Sequence, residues 1–457
     1  MTLPALLLAA ALAAPPQTLR VDWFHTGDHA REFFALDGQV LEPLPWPGNP
    51  ARPLDDLDLG GWRVEVRDAA SGTLLHSRGF DTVFSEWRST SEATRGLRTF
   101  HESARFPDPG RPYTFTLLQR TAAGAFEERW KLELDPRSRS VRTAHPPAPG
   151  KVLPLHRGGP SERALDLLLL GDGYTDKEAA TFEKDARRML EALFSRSPFK
   201  ERKADVNAWG LRLRAAAPGI SRPSTGIARF SPLGTTYDAF GSERYVLAFD
   251  NRGLRDAAMY APYDAVVILA HADTYGGGGI YNLYSTVAAG SAWAPYVFVH
   301  ELGHHLAGLA DEYFAADPLY VPDPNRPEPW ERNVTTRPTE PKWKHLLTPG
   351  VPLPTPWGLE GFAARARTYE ETRKRLRAEA RPESEMDAHF RDQQGLEEKA
   401  FAAEPWSRAV GAFEGAHYSP AGYYRPELDC VMFSRSIPFC RVCHAALDEV
   451  LDFHTRP

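Results

Sequence analysis

The chain has 457 residues, of which 42% are hydrophobic and 25% are charged. This length and balance predict two or three globular domains, and they exclude a largely disordered chain and a coiled coil. The formal net charge is −6. We therefore expect no broad basic surface, and nucleic acid is not an expected partner.

The first segment, residues 1–14, reads MTLPALLLAAALAA and carries no charged side chain. It is too short to span a membrane, but its apolar run and its small terminal residues resemble a secretory signal peptide. The sequence therefore predicts an exported protein, either periplasmic or extracellular. A disordered or packed N-terminal tail is the alternative. No other stretch reaches the ~18–20 apolar residues of a membrane-spanning helix, so no membrane span is expected.

Residues 17–143 show apolar residues alternating with charged ones. The stretches WRVEVR at 62–67 and WKLEL at 130–134 are examples. This period of two is typical of strands with one buried face, and it predicts an all-β sandwich without helices. Residues 144–162 are rich in proline and are predicted to be a linker.

The spacing of apolar residues along the sequence changes from residue 163 onward. A buried strand is predicted at Leu165–Leu170, and Thr175 with Glu178 forms a capping-box pattern that begins a helix. Alternating strands and helices predict an α/β domain over residues 163–457. Within it, residues 361–409 are rich in oppositely charged pairs at i,i+4 spacing and are predicted to be a solvated helical insertion.

The segment VFVHELGHHLAGLADEYF, residues 297–314, contains the strongest motif of the chain. On a helix, His300 and His304 lie one turn apart on the same face, so both imidazoles can bind one Zn²⁺. Glu301 projects beside them and is placed to accept a proton from water at the metal. The apolar flanks predict a buried helix, in which these polar groups need partners that a metal would supply.

A hydrolytic zinc ion needs a third protein ligand and an open position. On a continued helix Asp311 would lie about 10 Å beyond His304, but Gly308 can adopt a positive φ and reverse the chain. Asp311 is therefore the predicted third ligand, and Glu312 is the next candidate. The alternative for Asp311 is a carboxylate that only caps the helix or holds a histidine.

Three cysteines, Cys430, Cys440 and Cys443, lie close to the C-terminus. In an exported protein they are candidates for one disulfide and one free thiol. The sequence CRVCH at 440–444 also matches a c-type haem attachment motif, and the cysteines with His444 are candidates for a small structural metal site.

The segment HELGHHLAGLADEY resembles the zinc signature of the M64 metallopeptidases, the IgA peptidase M64 family. LLLLGDGYT at 167–175, YGGGG at 275–279, WKHLL at 343–347, EGAHY at 414–418 and CVM…FCRVC at 430–443 agree with it, and LRVDWFHTGDHAREFF resembles the N-terminal β-domain of the family. The resemblance is weakest at 361–409. It implies a metzincin-like zinc endopeptidase with His300 and His304 as ligands, Glu301 as the base and Asp311 as the third ligand. The resemblance also argues against haem at Cys440–His444. A disulfide from Cys430 to Cys440 or Cys443 is therefore the preferred interpretation.

The chain departs from the metzincin pattern, in which the glycine follows the second histidine by three residues and the third ligand by six. Here Gly308 and Asp311 follow by four and seven. Met432 is a candidate for the Met-turn beneath the zinc, with an ordinary core methionine as the alternative. Ser434 occupies the position at which such a turn usually has a tyrosine. The residue that stabilises the oxyanion of the reaction is therefore expected elsewhere. The candidates are His417, Tyr418 and Tyr423.

Together these features predict a secreted endopeptidase with one catalytic Zn²⁺, acting on protein or peptide substrates. The alternative is a secreted adhesion or binding protein whose metal site is structural. A c-type haem protein is a third hypothesis. The presence of Glu301 argues against the binding protein, because a structural zinc site needs no adjacent base and is closed by four ligands.

Overall fold

The protein is described here by a computed structural model that covers residues 15–314, 326–436 and 438–456. The predicted signal peptide, residues 1–14, lies outside the described residues. The described chain has a β-rich N-terminal part and an α/β C-terminal part. No helix within the described ranges is both long and apolar enough to cross a membrane.

The N-terminal part consists of two antiparallel sheets that face each other. One has the strand order β2-β1-β5 and the other β4-β3-β6-β7. Its elements are β1 (Gln17–Gly27), β2 (Glu32–Pro45), β3 (Trp62–Asp68), β4 (Leu74–Phe80), helix α1 (Val83–Arg88), β5 (Arg98–Pro107), β6 (Tyr113–Arg120) and β7 (Phe126–Leu134). Trp23, Trp62 and Phe115 belong to the apolar core that the two sheets share, as the alternating pattern predicts. The prediction of no helix in this part is wrong, because Thr82 caps the short helix α1, which buries Phe84 and Trp87.

The C-terminal part is built on a six-stranded sheet with the order β14-β15-β13-β9-β10-β8. The four central strands are parallel, and β14 and β8 are antiparallel edges. The strands are β8 (Val152–His156), β9 (Leu165–Tyr174), β10 (Val206–Arg214), β11 (Thr235–Thr236), β12 (Leu247–Ala248), β13 (Ala265–Ala270), β14 (Gly277–Ile280), β15 (Tyr284–Ala288), β16 (Phe413–Ala416) and β17 (Ser419–Arg425). The helices are α2 (Ala179–Phe194), α3 (Asn251–Ala258), α4 (Ala294–Ala307), α5 (Leu359–Ala378), α6 (Glu383–Ala402) and α7 (Arg441–Thr455).

The two faces of this sheet are covered differently. Helices α2, α4 and α7 pack on the face to which Leu167 and Leu169 contribute. On the opposite face, Leu168 and Leu170 pack with α3 and with side chains of the N-terminal part, among them Phe84. Both faces are therefore buried, which explains the uninterrupted apolar run of β9.

The predicted linker and the predicted solvated insertion both take part in the fold. Residues 144–162 contain β8, which pairs with β10, so this portion of the predicted linker belongs to the C-terminal sheet. Residues 361–409 contain most of the helical hairpin α5–α6. Phe362, Phe390 and Phe401 of this hairpin are buried. The insertion therefore packs one side against the domain and exposes its charged side.

Strand β14 passes very close to helix α4. A Cβ atom on Gly279 would overlap the carbonyl oxygen of Glu301 and lie 3.0 Å from Cβ of His304. The glycines at 276–279 therefore allow an edge strand to approach the backbone of the helix that carries the histidines.

Gly279→Ala should destabilise the protein by about 1–3 kcal/mol, because the added methyl forces β14 away from α4. Chemical denaturation of the full chain measures this change in the free energy of unfolding. Gly38→Ala is the matched control, since Gly38 also lies in a strand but a Cβ there meets nothing within 4 Å. Equal stabilities of the two variants would contradict the close approach.

A buried ion-pair cluster in the N-terminal part gives stability that depends on pH. His25 Nδ1 lies 3.1 Å from an oxygen of Glu102, and its Nε2 lies 3.5 Å from Glu32. Burial by itself lowers the pKa of His25, but attraction and hydrogen bonds from Glu102 and Glu32 outweigh it, so the pKa is raised. The charged imidazole therefore stabilises the fold.

Because the folded pKa exceeds the unfolded value of about 6.5, this stabilisation is complete below that pH. It is lost as the pH rises through the folded pKa. The melting temperature of the wild type should fall over this range more steeply than that of His25→Gln. His29→Gln, at an exposed histidine nearby, should follow the wild-type curve. Parallel curves for wild type and His25→Gln would show that the cluster does not titrate as described.

Candidate active site

Helix α4 presents its polar residues to a cavity and its apolar residues to the core. Phe298, Val299 and Leu302 are buried in the core, and His300, Glu301 and His304 line the cavity. The Nε2 atoms of the two histidines lie 3.1 Å apart. The i,i+4 spacing therefore brings both imidazoles to one point, as the sequence predicts.

The chain reverses directly after α4. Gly308 has φ 54° and ψ 40°, and its N–H donates to the carbonyl of His304 at 3.0 Å. This left-handed helix end directs the following residues back along α4. As a result, Oδ1 of Asp311 lies 3.1 Å from Nε2 of His300 and 3.3 Å from Nε2 of His304. The structure thus brings together the three residues that the sequence predicts as ligands.

These three donor atoms fit one divalent cation. Ligands held about 2.1 Å from a tetrahedral ion lie about 3.4 Å from one another, close to the separations observed. Within the described part of the chain, the buried Oδ1 of Asp311 has no hydrogen-bond partner, which a bound cation would satisfy.

Backbone carbonyls fix the orientation of both imidazoles. His300 Nδ1 donates to the carbonyl of Val431 at 2.9 Å, and His304 Nδ1 donates to that of Leu309 at 2.5 Å. Each Nε2 is therefore left with its lone pair toward the shared point. His305, one position out of phase, instead accepts the N–H of Val266 at 3.1 Å and joins the helix to the sheet.

Burial and neighbouring charged groups shift the pKa values of the side chains in the site. Burial raises the pKa of Asp311, but the attraction of the two histidines outweighs it and holds the pKa well below its usual range. Burial lowers the pKa of His304, and the stronger influence of Asp311 raises it to about 9. Burial also raises the pKa of Glu301. The site therefore contains a firmly ionised carboxylate next to a glutamate that holds a proton more readily than an exposed one.

A tight hairpin holds Asp311 from the other side. His417 and Tyr418, at φ 52° and 60°, form the turn between β16 and β17. Their N–H groups donate at 3.0 Å to the carbonyls of Asp311 and Tyr313, and the Tyr418 hydroxyl donates to Oδ2 of Asp311. Two left-handed residues other than glycine are strained, and these backbone bonds retain them. Tyr418 therefore positions the carboxylate whose other oxygen faces the histidines.

The remaining predicted residues lie around this centre. His417 stacks on Tyr423 with ring centres 5.1 Å apart, and both line the cavity. Met432 is fully buried, and its sulfur lies 2.9 Å from where a Cβ on Gly303 would be, beneath the turn of α4 that carries His300 and His304. The three cysteines, Cys430, Cys440 and Cys443, are buried free thiols in this structure. Their disulfide pairing stays a prediction.

Several site residues were not predicted from the sequence. Tyr296 lies four residues before His300, and its hydroxyl is 3.5 Å from His300 Nδ1, so helical periodicity could have found it. Tyr313 stacks parallel to His300 with ring centres 6.4 Å apart. Arg244, from a distant loop, lies 3.5 Å from the Tyr313 hydroxyl. No sequence signal points to Arg244.

The cavity above these residues has a volume of about 1740 Å³. Its walls include residues from distant parts of the chain. The β6–β7 loop contributes Ala122, the α5–α6 hairpin contributes Tyr369 and Arg373, and α4 forms one side. Small-molecule pockets are usually about 300–1,000 Å³. The cavity therefore suits a polymer segment better than a small metabolite.

Comparison with known families identifies both parts of the chain. The family model described as IgA Peptidase M64 matches residues 153–451, and the model described as Peptidase M64 N-terminus matches residues 13–131. The first model begins inside β8, consistent with that strand belonging to the C-terminal sheet. No curated protein matches the chain. The chain therefore belongs to the IgA peptidase M64 family and is a peptidase with the N-terminal domain of that family.

Proposed function

We propose that the protein is a zinc-dependent endopeptidase. The observation that carries this proposal is the convergence of two imidazole nitrogens and one carboxylate oxygen, 3.1–3.3 Å apart, beside Glu301 in a large cavity. Two nitrogen ligands and one oxygen ligand with an open position are typical of catalytic zinc in hydrolases. Membership of a peptidase family supports the same reaction.

Each polar group of the site has a separate task in peptide hydrolysis. Zinc bound by His300, His304 and Asp311 would polarise the scissile carbonyl and acidify water. Glu301 accepts the proton of the attacking water and passes it to the leaving amine. Tyr313 and Arg244 line the cavity beside His300 and offer hydrogen bonds to the negative charge that develops on the carbonyl oxygen.

We also propose a metzincin-like arrangement for this centre. The helix, the left-handed reversal at Gly308, the third ligand after it and Met432 beneath the helix support this proposal. The glycine and the third ligand are shifted together by one residue, so the reversal still delivers Asp311 to the histidines. The apolar N-terminal stretch supports the further proposal that the enzyme acts outside the cytoplasm.

An adhesion or binding protein with a structural metal is the less supported alternative. A structural zinc site is closed by four protein ligands, whereas the described residues place three donor atoms at this point. Glu301 has no role in such a site, although it lies in the cavity wall.

Glu301→Gln should retain zinc and lose hydrolysis by roughly 10²–10⁴-fold, because the amide cannot accept the proton of water. A peptide library blocked at both ends, digested and read by mass spectrometry, measures endopeptidase activity. Elemental analysis measures zinc in the same samples. Glu371→Gln, on the exposed side of α5, is the matched control and should keep full activity. Wild-type cleavage by Glu301→Gln would refute the base assignment.

Tyr418→Phe should weaken zinc binding at the catalytic site by roughly 10–100-fold, because Asp311 loses the hydroxyl that orients it. Competition with a chromogenic chelator measures this affinity. Tyr424→Phe removes a hydroxyl on the same hairpin that lies 3.3 Å from Glu414, and it should leave the affinity unchanged. An unchanged affinity in Tyr418→Phe would mean that the hydroxyl does not hold the ligand.

A further inference from the structure

A second group of potential ligands lies next to the active site. Three thiols and one carboxylate have their ligand atoms within 4.8 Å of one another, and all four side chains are buried. We call this group the Cys–Glu cluster, and it consists of Glu312, Cys430, Cys440 and Cys443. None of these side chains has a task in the proposed hydrolysis.

The spacing within the cluster fits a small metal ion. Cys443 Sγ lies 3.3 Å from Oε1 of Glu312, and Cys440 Sγ lies 4.0 Å from the same oxygen. A sulfur and an oxygen ligand of a tetrahedral zinc ion, with bonds of about 2.3 Å and 2.0 Å, lie about 3.5 Å apart. The observed distances fall on both sides of that value, so adjustments of less than about 1 Å would complete the site.

The carboxylate of the cluster is incompletely hydrogen-bonded. Oε2 of Glu312 is buried and has no hydrogen-bond partner among the described residues. Leaving a buried carboxylate oxygen unpaired is costly. The other oxygen, Oε1, accepts a hydrogen bond from Asn333 at 2.9 Å. A cation between the carboxylate and the sulfur atoms would remove this cost.

Two sulfur atoms of the cluster accept hydrogen bonds from backbone N–H groups. The N–H of Cys440 donates to the sulfur of Cys430 at 3.3 Å, and the N–H of Cys443 donates to that of Cys440 at 3.4 Å. Cys440 is also the N-cap of α7, where the helix dipole favours negative charge. The buried guanidinium of Arg425 attracts Glu312 and Cys430. Burial raises the pKa of the Cys430 and Cys443 thiols, so these contacts supply only part of the stabilisation that an anionic ligand set requires, and a bound cation would supply the rest.

We propose that the Cys–Glu cluster binds a second zinc ion with a structural role. A buried set of four ligands with three sulfurs is typical of structural zinc, in contrast to the three ligands of the catalytic site. Binding would release the thiol protons to solvent. The ion would join the segment that carries Asp311 to the segment of Val431, whose carbonyl orients His300, and to the start of α7.

The fourth ligand of this site differs from the one that the CxxCH pattern suggests. His444 is partly exposed, and its Nδ1 lies 3.1 Å from an oxygen of Asp448. Glu312 takes the corresponding place in the cluster. His444→Ala therefore provides a matched control, because it removes a potential ligand next to Cys443 without touching the proposed site.

Elemental analysis of the full chain, purified without chelator, tests the proposal. The wild type and His444→Ala should each contain two zinc ions per chain. The double variant His300→Ala/His304→Ala should retain one, and adding Cys443→Ser to it should remove that ion. A wild type with one ion, together with none in the double variant, would overturn the proposal. Loss of one ion in His444→Ala would overturn the ligand assignment.

A second measurement keeps all three cysteines, so it does not depend on the folding of a cysteine variant. Cobalt bound to His300→Ala/His304→Ala should show a sulfur-to-metal charge-transfer band. Three thiols per chain should react after denaturation with a chelator and without reductant. A cobalt spectrum without that band, or a count of one thiol, which indicates a disulfide, would contradict the proposal. Neither measurement uses hydrolysis, so failure of the peptidase assignment would appear separately as inactive protein with full metal content.

Discussion

A helix alone cannot surround a metal ion with three ligands, because its next turn carries the following side chain 5.4 Å farther along the axis. The left-handed conformation of Gly308 removes this limit by ending α4 and sending the chain back beside it. Asp311 then meets both imidazoles within 3.3 Å. The hairpin turn at His417 and Tyr418 fixes the returning segment, so the geometry of the centre depends on that reversal and its support.

The two acids that follow the reversal point to different centres. Asp311 faces the histidines, and Glu312 faces the sulfur atoms of the Cys–Glu cluster. Neighbouring carboxylates of one segment can thus serve unlike sites. The N–H of Glu312 donates to the carbonyl of Met432 at 2.9 Å. One short segment thus connects helix α4, the buried methionine and the C-terminal helix.

Local patterns in the sequence were sufficient to predict the β-rich part, the α/β part and the helix with His300, Glu301 and His304. The role of Tyr418 was not predictable, because its hydroxyl meets Asp311 across 107 residues of chain. Strand β8 was missed because its proline-rich surroundings suggested a linker, although an edge strand tolerates Pro154. The buried side of α5–α6 was missed because charged pairs at i,i+4 spacing dominate that segment.

The aromatic side chains that cross between the two parts limit how independent these parts are. Phe84 and Trp87 of the N-terminal part complete the core on one face of the C-terminal sheet, and β8 closes its edge. A recombinant fragment beginning at residue 163 would expose this apolar face of the sheet and an unpaired strand. Both features promote aggregation. The predicted start of the α/β domain at residue 163 therefore does not divide the chain into two independent folding units.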